Sequence, residues 1–190
     1  MRTVSILINA AIFLTTLFLI VLGFRRDGVW DVKRGLKAFR FFTVLSNVFC
    51  AMAALGMVFS ASGTALLFKY LGTVSVTVTL LTVVFFLGPT QGGYAMLFSG
   101  ENLYMHLIGP LLAILSYGFL EKRDMSFGTA LLGMVPVALY GVMYLYRVVL
   151  APEEKRWEDF YGFNRGGKWP VAFSGMLLMT LAVCLVIWRV

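Results

Sequence analysis

A chain of 190 residues with 60% hydrophobic and 13% charged residues is too apolar for a soluble domain and belongs to the membrane class. Its net charge of +7 arises in loops beside apolar runs, as orientation in a membrane requires, and not in a basic domain, so nucleic acid is excluded as a partner. Cys50 and Cys184 both fall inside apolar runs, which leaves a disulfide framework without support, and with a single histidine they make no metal-ligand set.

Six apolar runs of about 17 to 25 residues read as membrane-spanning helices: Val4–Phe24, Phe39–Ser60, Ala65–Leu87, Leu103–Leu120, Phe127–Leu150 and Trp169–Trp188. They make one all-α domain over residues 1–190, a polytopic six-transmembrane-helix bundle. The first run follows Arg2 and has no small-residue cleavage pattern after it, so it reads as a retained helix and not a signal peptide. The second opens "AFRFFTVLSNVFC". At helical spacing Arg40, Thr43, Asn47 and Cys50 share one face, with Ser46 at its border, and a polar stripe at membrane depth must face protein or water. In the third, "TVSVTVTLLT" alternates like a strand, but a barrel needs short alternating segments throughout, so the run reads as a helix whose hydroxyls bond carbonyls one turn back. Lys69, near its start, is expected to snorkel to the interface, and Tyr70, Trp169 and Trp188 suit the aromatic belt.

The Gly-rich third loop, "GPTQGGYAMLFSGEN", and the fifth, "APEEKRWEDFYGFNRGGKW", read as interfacial loops or as a lid over a site. The fourth run, "NLYMHLIGPLLAI", holds the single histidine, His106. Asn102 stands one turn before it and Pro110 one turn after, so the carbonyl of residue 106 loses its helical partner. No acidic residue falls within any predicted span, and Glu101 is the nearest carboxylate to His106. The fifth run carries Tyr140, Tyr144 and Arg147.

With six spans, the loops after the first, third and fifth share one side. They hold Arg25, Arg26, Lys33, Arg34, Lys37, Arg40, Arg147, Lys155, Arg156, Arg165 and Lys168, eleven of sixteen basic residues. The positive-inside rule makes that side cytoplasmic and both termini external. Thr43 and His106 then lie about 6 Å below the same surface. A hydroxyl beside a neutral imidazole is the minimum nucleophile and general base. Asn47 or Asn102 is expected to orient the ring. Asn47, Asn102, Ser46, Arg40 and Tyr144 are candidates for binding substrate or a developing oxyanion.

The segments "FRFFTVLSN" and "NLYMHLIGPLLAI", with "VPVALYGVMYLYRVV" and "DFYGFNRGGKWP", resemble the androgen-induced-gene and FAR-17a-like membrane protein family and its small bacterial six-helix relatives. The resemblance covers most of residues 39–175. It implies Thr43 as nucleophile, His106 as its base, a bacterial plasma membrane location, and as substrate a lipid ester that reaches the site from the bilayer; the better-known animal members hydrolyse fatty acid esters of hydroxy fatty acids. No cofactor is implied. Membrane lipids and a lipid ester are the expected partners; the sequence gives no oligomeric state. Three other readings stand beside it: a small transporter or lipid-binding protein using the same cavity, a structural protein whose polar stripe glues helices together, and a heme protein with His106 as axial ligand.

Overall fold

The structure is a computed structural model that describes residues 1–90, 93–95, 97–121 and 124–189. The described residues form seven helices and one short hairpin: α1 (Arg2–Gly23), β1 (Arg25–Arg26), β2 (Val29–Trp30), α2 (Val32–Ala38), α3 (Phe42–Phe59), α4 (Gly63–Thr90), α5 (Glu101–Glu121), α6 (Phe127–Leu150) and α7 (Trp169–Arg189). Six of them, all but α2, are long and apolar enough to cross a membrane. The chain is an all-α polytopic membrane protein. Residues gather into two compact units, Met1–Asp124 and Met125–Val190, where the sequence reads as one domain. Apolar spans of similar composition flank residue 124, so no shift in composition marks that boundary.

In the first unit α1 and α4 each pack against both α3 and α5. Ile12, Cys50, Ala54, Val76 and Ala113 form its apolar centre. Lipid is as apolar as leucine, so membrane helices associate through close packing and internal hydrogen bonds more than through hydrophobic burial. Gly72 makes this possible for α3 and α4, because a Cβ there would lie 2.8 Å from Cys50 Cα. As expected, the hydroxyls of α4 turn inward along their own helix: Thr73 donates to Lys69 O (2.8 Å), Ser75 to Leu71 O (2.8 Å) and Thr77 to Thr73 O (2.7 Å).

Three spans contain a π turn that ends two residues before a proline. Gly88 N–H donates to Val83 O, Gly109 N–H to Tyr104 O, and Ala151 N–H to Tyr146 O, ahead of Pro89, Pro110 and Pro152. In this five-residue register the carbonyl that a proline orphans is the one five positions back, not four. Each of those carbonyls is captured from outside its own helix ladder. Val84 O accepts from Tyr94 OH (2.9 Å), Met105 O from Asn47 Nδ2 (2.9 Å) and Arg147 O from Trp157 N–H (2.9 Å). At Pro110, where the carbonyl of residue 106 was expected to lose its partner, the carbonyl that takes an outside donor is that of Met105.

Four further expectations are corrected. Phe41, extended at ψ 133°, caps α3, so Arg40 lies in an exposed turn before the helix and the polar stripe begins at Thr43. Lys69 does not snorkel, and Tyr70 does not join a belt: both are fully buried, the ring of Tyr70 lying 5.7 Å from that of Tyr117. Nor are the spans free of acid. The last turn of α5 is a π turn reaching Glu121, one residue beyond the predicted end, and Glu121 is what holds Lys69 inside. Ser5 Oγ donates to Glu121 Oε1 (2.8 Å), Asn9 Nδ2 bonds the same oxygen, and Lys69 Nζ donates to Asn9 Oδ1 (2.7 Å) while lying 3.8 Å from Glu121 Oε2.

In the second unit, the segment between α6 and α7 winds around Asp159. Its carboxylate accepts from the N–H groups of Phe163 (2.8 Å) and Asn164 (2.7 Å) and from Tyr144 OH (3.1 Å). Phe160, Tyr161 and Phe163 surround the Tyr144 ring.

Candidate functional site

Thr43 is the second residue of α3 and His106 the sixth of α5. The first N–H groups of an α-helix have no acceptor within it, and the helix dipole adds positive potential there. Thr43 thus stands where backbone donors and a positive field already converge. Its Oγ1 lies 3.5 Å from His106 Nε2, at the outer limit of a hydrogen bond. Such contacts between nucleophile and base are often long without substrate and tighten when it binds.

The other ring nitrogen, His106 Nδ1, lies 2.6 Å from Leu97 O. A carbonyl can only accept, so Nδ1 carries the proton, and in the neutral ring Nε2 presents its lone pair toward Thr43. The ring-orienting role expected of Asn47 or Asn102 belongs to this backbone carbonyl. Leu97 is itself buried. Its loop is anchored by Tyr94, which bonds Val84 O and stacks on Phe98 at 5.9 Å. The ring of Tyr94 also occupies the space beside Gly88, where a Cβ would lie 2.0 Å from it. Gln91, Gly92 and Met96 of the loop expected to form a lid lie outside the described residues.

Asn47 has a different task. Its two N–H donors go to Thr43 O (2.8 Å) and Met105 O (2.9 Å), which ties Thr43 to the residue before His106 and leaves no donor for an oxyanion. Ser46 reinforces the same turn through Thr43 O (3.1 Å) and Thr79 Oγ1 (2.8 Å). Asn102 is half-buried in the first turn of α5, its N–H on Ser99 O at 3.1 Å. Arg40 is exposed ahead of α3. Tyr144 belongs to the second unit and spends its hydroxyl proton on Asp159. The structure therefore brings Thr43, Ser46, Asn47 and His106 together. No protein-family model, curated protein or solved structure matches this chain.

The site thus has a hydroxyl, a tautomer-fixed base and helix-terminal donors, but no carboxylate behind the imidazole. Among the described residues, no group of three or more His, Cys, Asp or Glu side chains is placed to hold a metal ion. Leu97 and Thr79 are the contributors that sequence reasoning missed. Thr79 sat in plain view within the Thr-rich stretch of α4, whereas a backbone carbonyl leaves no mark in residue identity.

Proposed function

We propose that this protein is an intramembrane hydrolase of lipid esters, with Thr43 as nucleophile and His106 as general base, working at the side of the membrane that the positive-inside rule makes cytoplasmic. One observation carries the proposal: His106 is held by Leu97 O in the tautomer that faces its lone pair toward Thr43 Oγ1. The resemblance of "FRFFTVLSN" and "NLYMHLIGPLLAI" to a family of threonine hydrolases supports the same pair of residues.

In the proposed reaction Thr43 Oγ1 attacks the ester carbonyl carbon as its proton passes to His106 Nε2. The oxyanion is stabilised by N–H groups and dipole at the start of α3, since Asn47 and Ser46 are committed elsewhere. Collapse breaks the ester C–O bond, and the imidazolium gives its proton to the departing alkoxide. Water then attacks the acyl-threonine, losing a proton to Nε2. The bond from the acyl carbon to Oγ1 breaks, and Oγ1 recovers the proton as the fatty acid leaves. The substrate is a fatty acid ester arriving from the bilayer.

The test is labelling of the solubilised protein by a fluorophosphonate probe, comparing wild type with Thr43→Ala and His106→Ala at equal folded amount. Labelling in the wild type and its loss in both variants is expected. An unlabelled wild type, or undiminished labelling of Thr43→Ala, overturns the proposal.

A second reading, a transporter without covalent chemistry, draws support from the buried Lys69 and Glu121, since ionisable groups inside spans often mark ion pathways. It predicts transport that survives Thr43→Ala and fails on Glu121→Gln.

A further inference from the structure

Between α1 and α3 the chain folds into a small platform, built entirely within the first unit. Asp27 and Gly28 both take positive φ, 50° and 84°, which makes the tight turn that a right-twisted two-residue hairpin requires. Asp31 N–H returns to Phe24 O (2.7 Å), and Asp31 Oδ1 accepts from Arg34 N–H (2.9 Å) at the head of α2. Arg34 Nη1 donates back to Arg25 O (3.2 Å). Gly35 lies against Phe24, where a Cβ would come within 2.2 Å of the ring. These ties give the platform a fixed outer surface.

That surface is unsuited to water. Val29, Trp30, Val32 and Leu36 are 70%, 58%, 56% and 61% exposed, while Arg25, Arg26, Lys33, Arg34 and Lys37 are exposed around them. Val32 and Leu36 are one turn apart, and so are Lys33 and Lys37, which gives α2 an apolar face beside a basic one. Both carboxylates of the platform have local partners, Asp27 at 3.7 Å from Arg26 Nε and Asp31 as the cap of α2. The outward field is therefore positive. A segment joining two membrane spans also lies at the bilayer surface by construction.

We propose that this platform docks on anionic phospholipid headgroups of the adjoining leaflet. Val29, Trp30, Val32 and Leu36 enter the boundary between headgroups and acyl chains, and Lys33 and Lys37 meet the phosphates. The platform shares no residue with the Thr43 and His106 pair, so its lipid preference stands or falls independently of the hydrolase reading.

The test uses the full chain in nanodiscs of mixed phosphatidylcholine and phosphatidylglycerol, with retained lipids counted by native mass spectrometry. Wild type is expected to enrich phosphatidylglycerol. The double variant Lys33→Gln/Lys37→Gln, melting at the same temperature, is expected to lose that enrichment by about fivefold per lysine, and Trp30→Ala to reduce it. Lys155→Gln, an exposed lysine of the second unit, is expected to leave it unchanged. Equal enrichment in the double variant, or an equal loss with Lys155→Gln, overturns the proposal. So does complete displacement of the lipid by millimolar inorganic phosphate, which would mark a site for free phosphate.

Discussion

His106 is the single imidazole of the chain, so its two ring nitrogens give an uncrowded nitrogen-15 spectrum. The bond to Leu97 O requires the proton on Nδ1, and the spectrum of histidine-labelled protein at neutral pH is expected to show that tautomer; a proton on Nε2 would remove the base from Thr43. At the opposite end of the same unit, Lys69 and Glu121 offer a test of buried charge. Glu121 Oε2 is buried with no hydrogen-bond partner among the described residues, so the pair is held by coulombic attraction and by Asn9. Removing one member strands the other charge. Lys69→Met and Glu121→Gln are each expected to cost about 3–5 kcal/mol, and Lys69→Met/Glu121→Leu to recover most of it. Equilibrium unfolding in bicelles measures all three. The sequence made Thr43 and His106 legible because a hydroxyl and an imidazole at matching depth can be counted from helix starts. It hid the ion pair, because Glu121 sits one residue past an apolar run and looks like a loop residue until its last turn is seen to be helical.

At the scale of elements, spans were legible from length and hydropathy, whereas their internal register was not. Proline is visible in the sequence, but whether the helix answers it with a four-residue or five-residue hydrogen bond depends on which external donor is at hand. At Pro110 that donor is Asn47. Pro110→Ala restores an N–H that competes with Asn47 for the carbonyls of this turn. The variant is expected to fold with equal or greater stability and yet to lose about a hundredfold in fluorophosphonate labelling rate, the scale of a displacement near 1 Å. Stability from thermal melts and labelling kinetics on the same preparation separate the two effects. Loss of both together would point to a purely structural proline.

For the whole molecule, the proposed arrangement has both termini on one side of the membrane and the first, third and fifth loops on the other. Cys50 and Cys184 are buried, so the wild-type chain offers a low background for a membrane-impermeant maleimide. In intact cells, Asp124→Cys is expected to react while Lys33→Cys and Glu154→Cys, all three exposed positions, react only after lysis. The reverse pattern would invert the proposed orientation. The division into two units was not legible, since it follows from which spans touch and not from what they are made of. The three proline-linked π turns bear on how such a chain tolerates change in length. Each one is a surplus residue stored inside a span, and every residue in a helix advances its successor by about 100°. Deleting Leu107 would let α5 close its wide turn into an ordinary one of nearly the same reach, still able to cross the bilayer and with its outer halves facing as before, but with the residues inside the turn re-aimed and the imidazole of His106 swung away from Thr43. In a protein so built, a one-residue deletion in this span would be silent for insertion and ruinous for geometry.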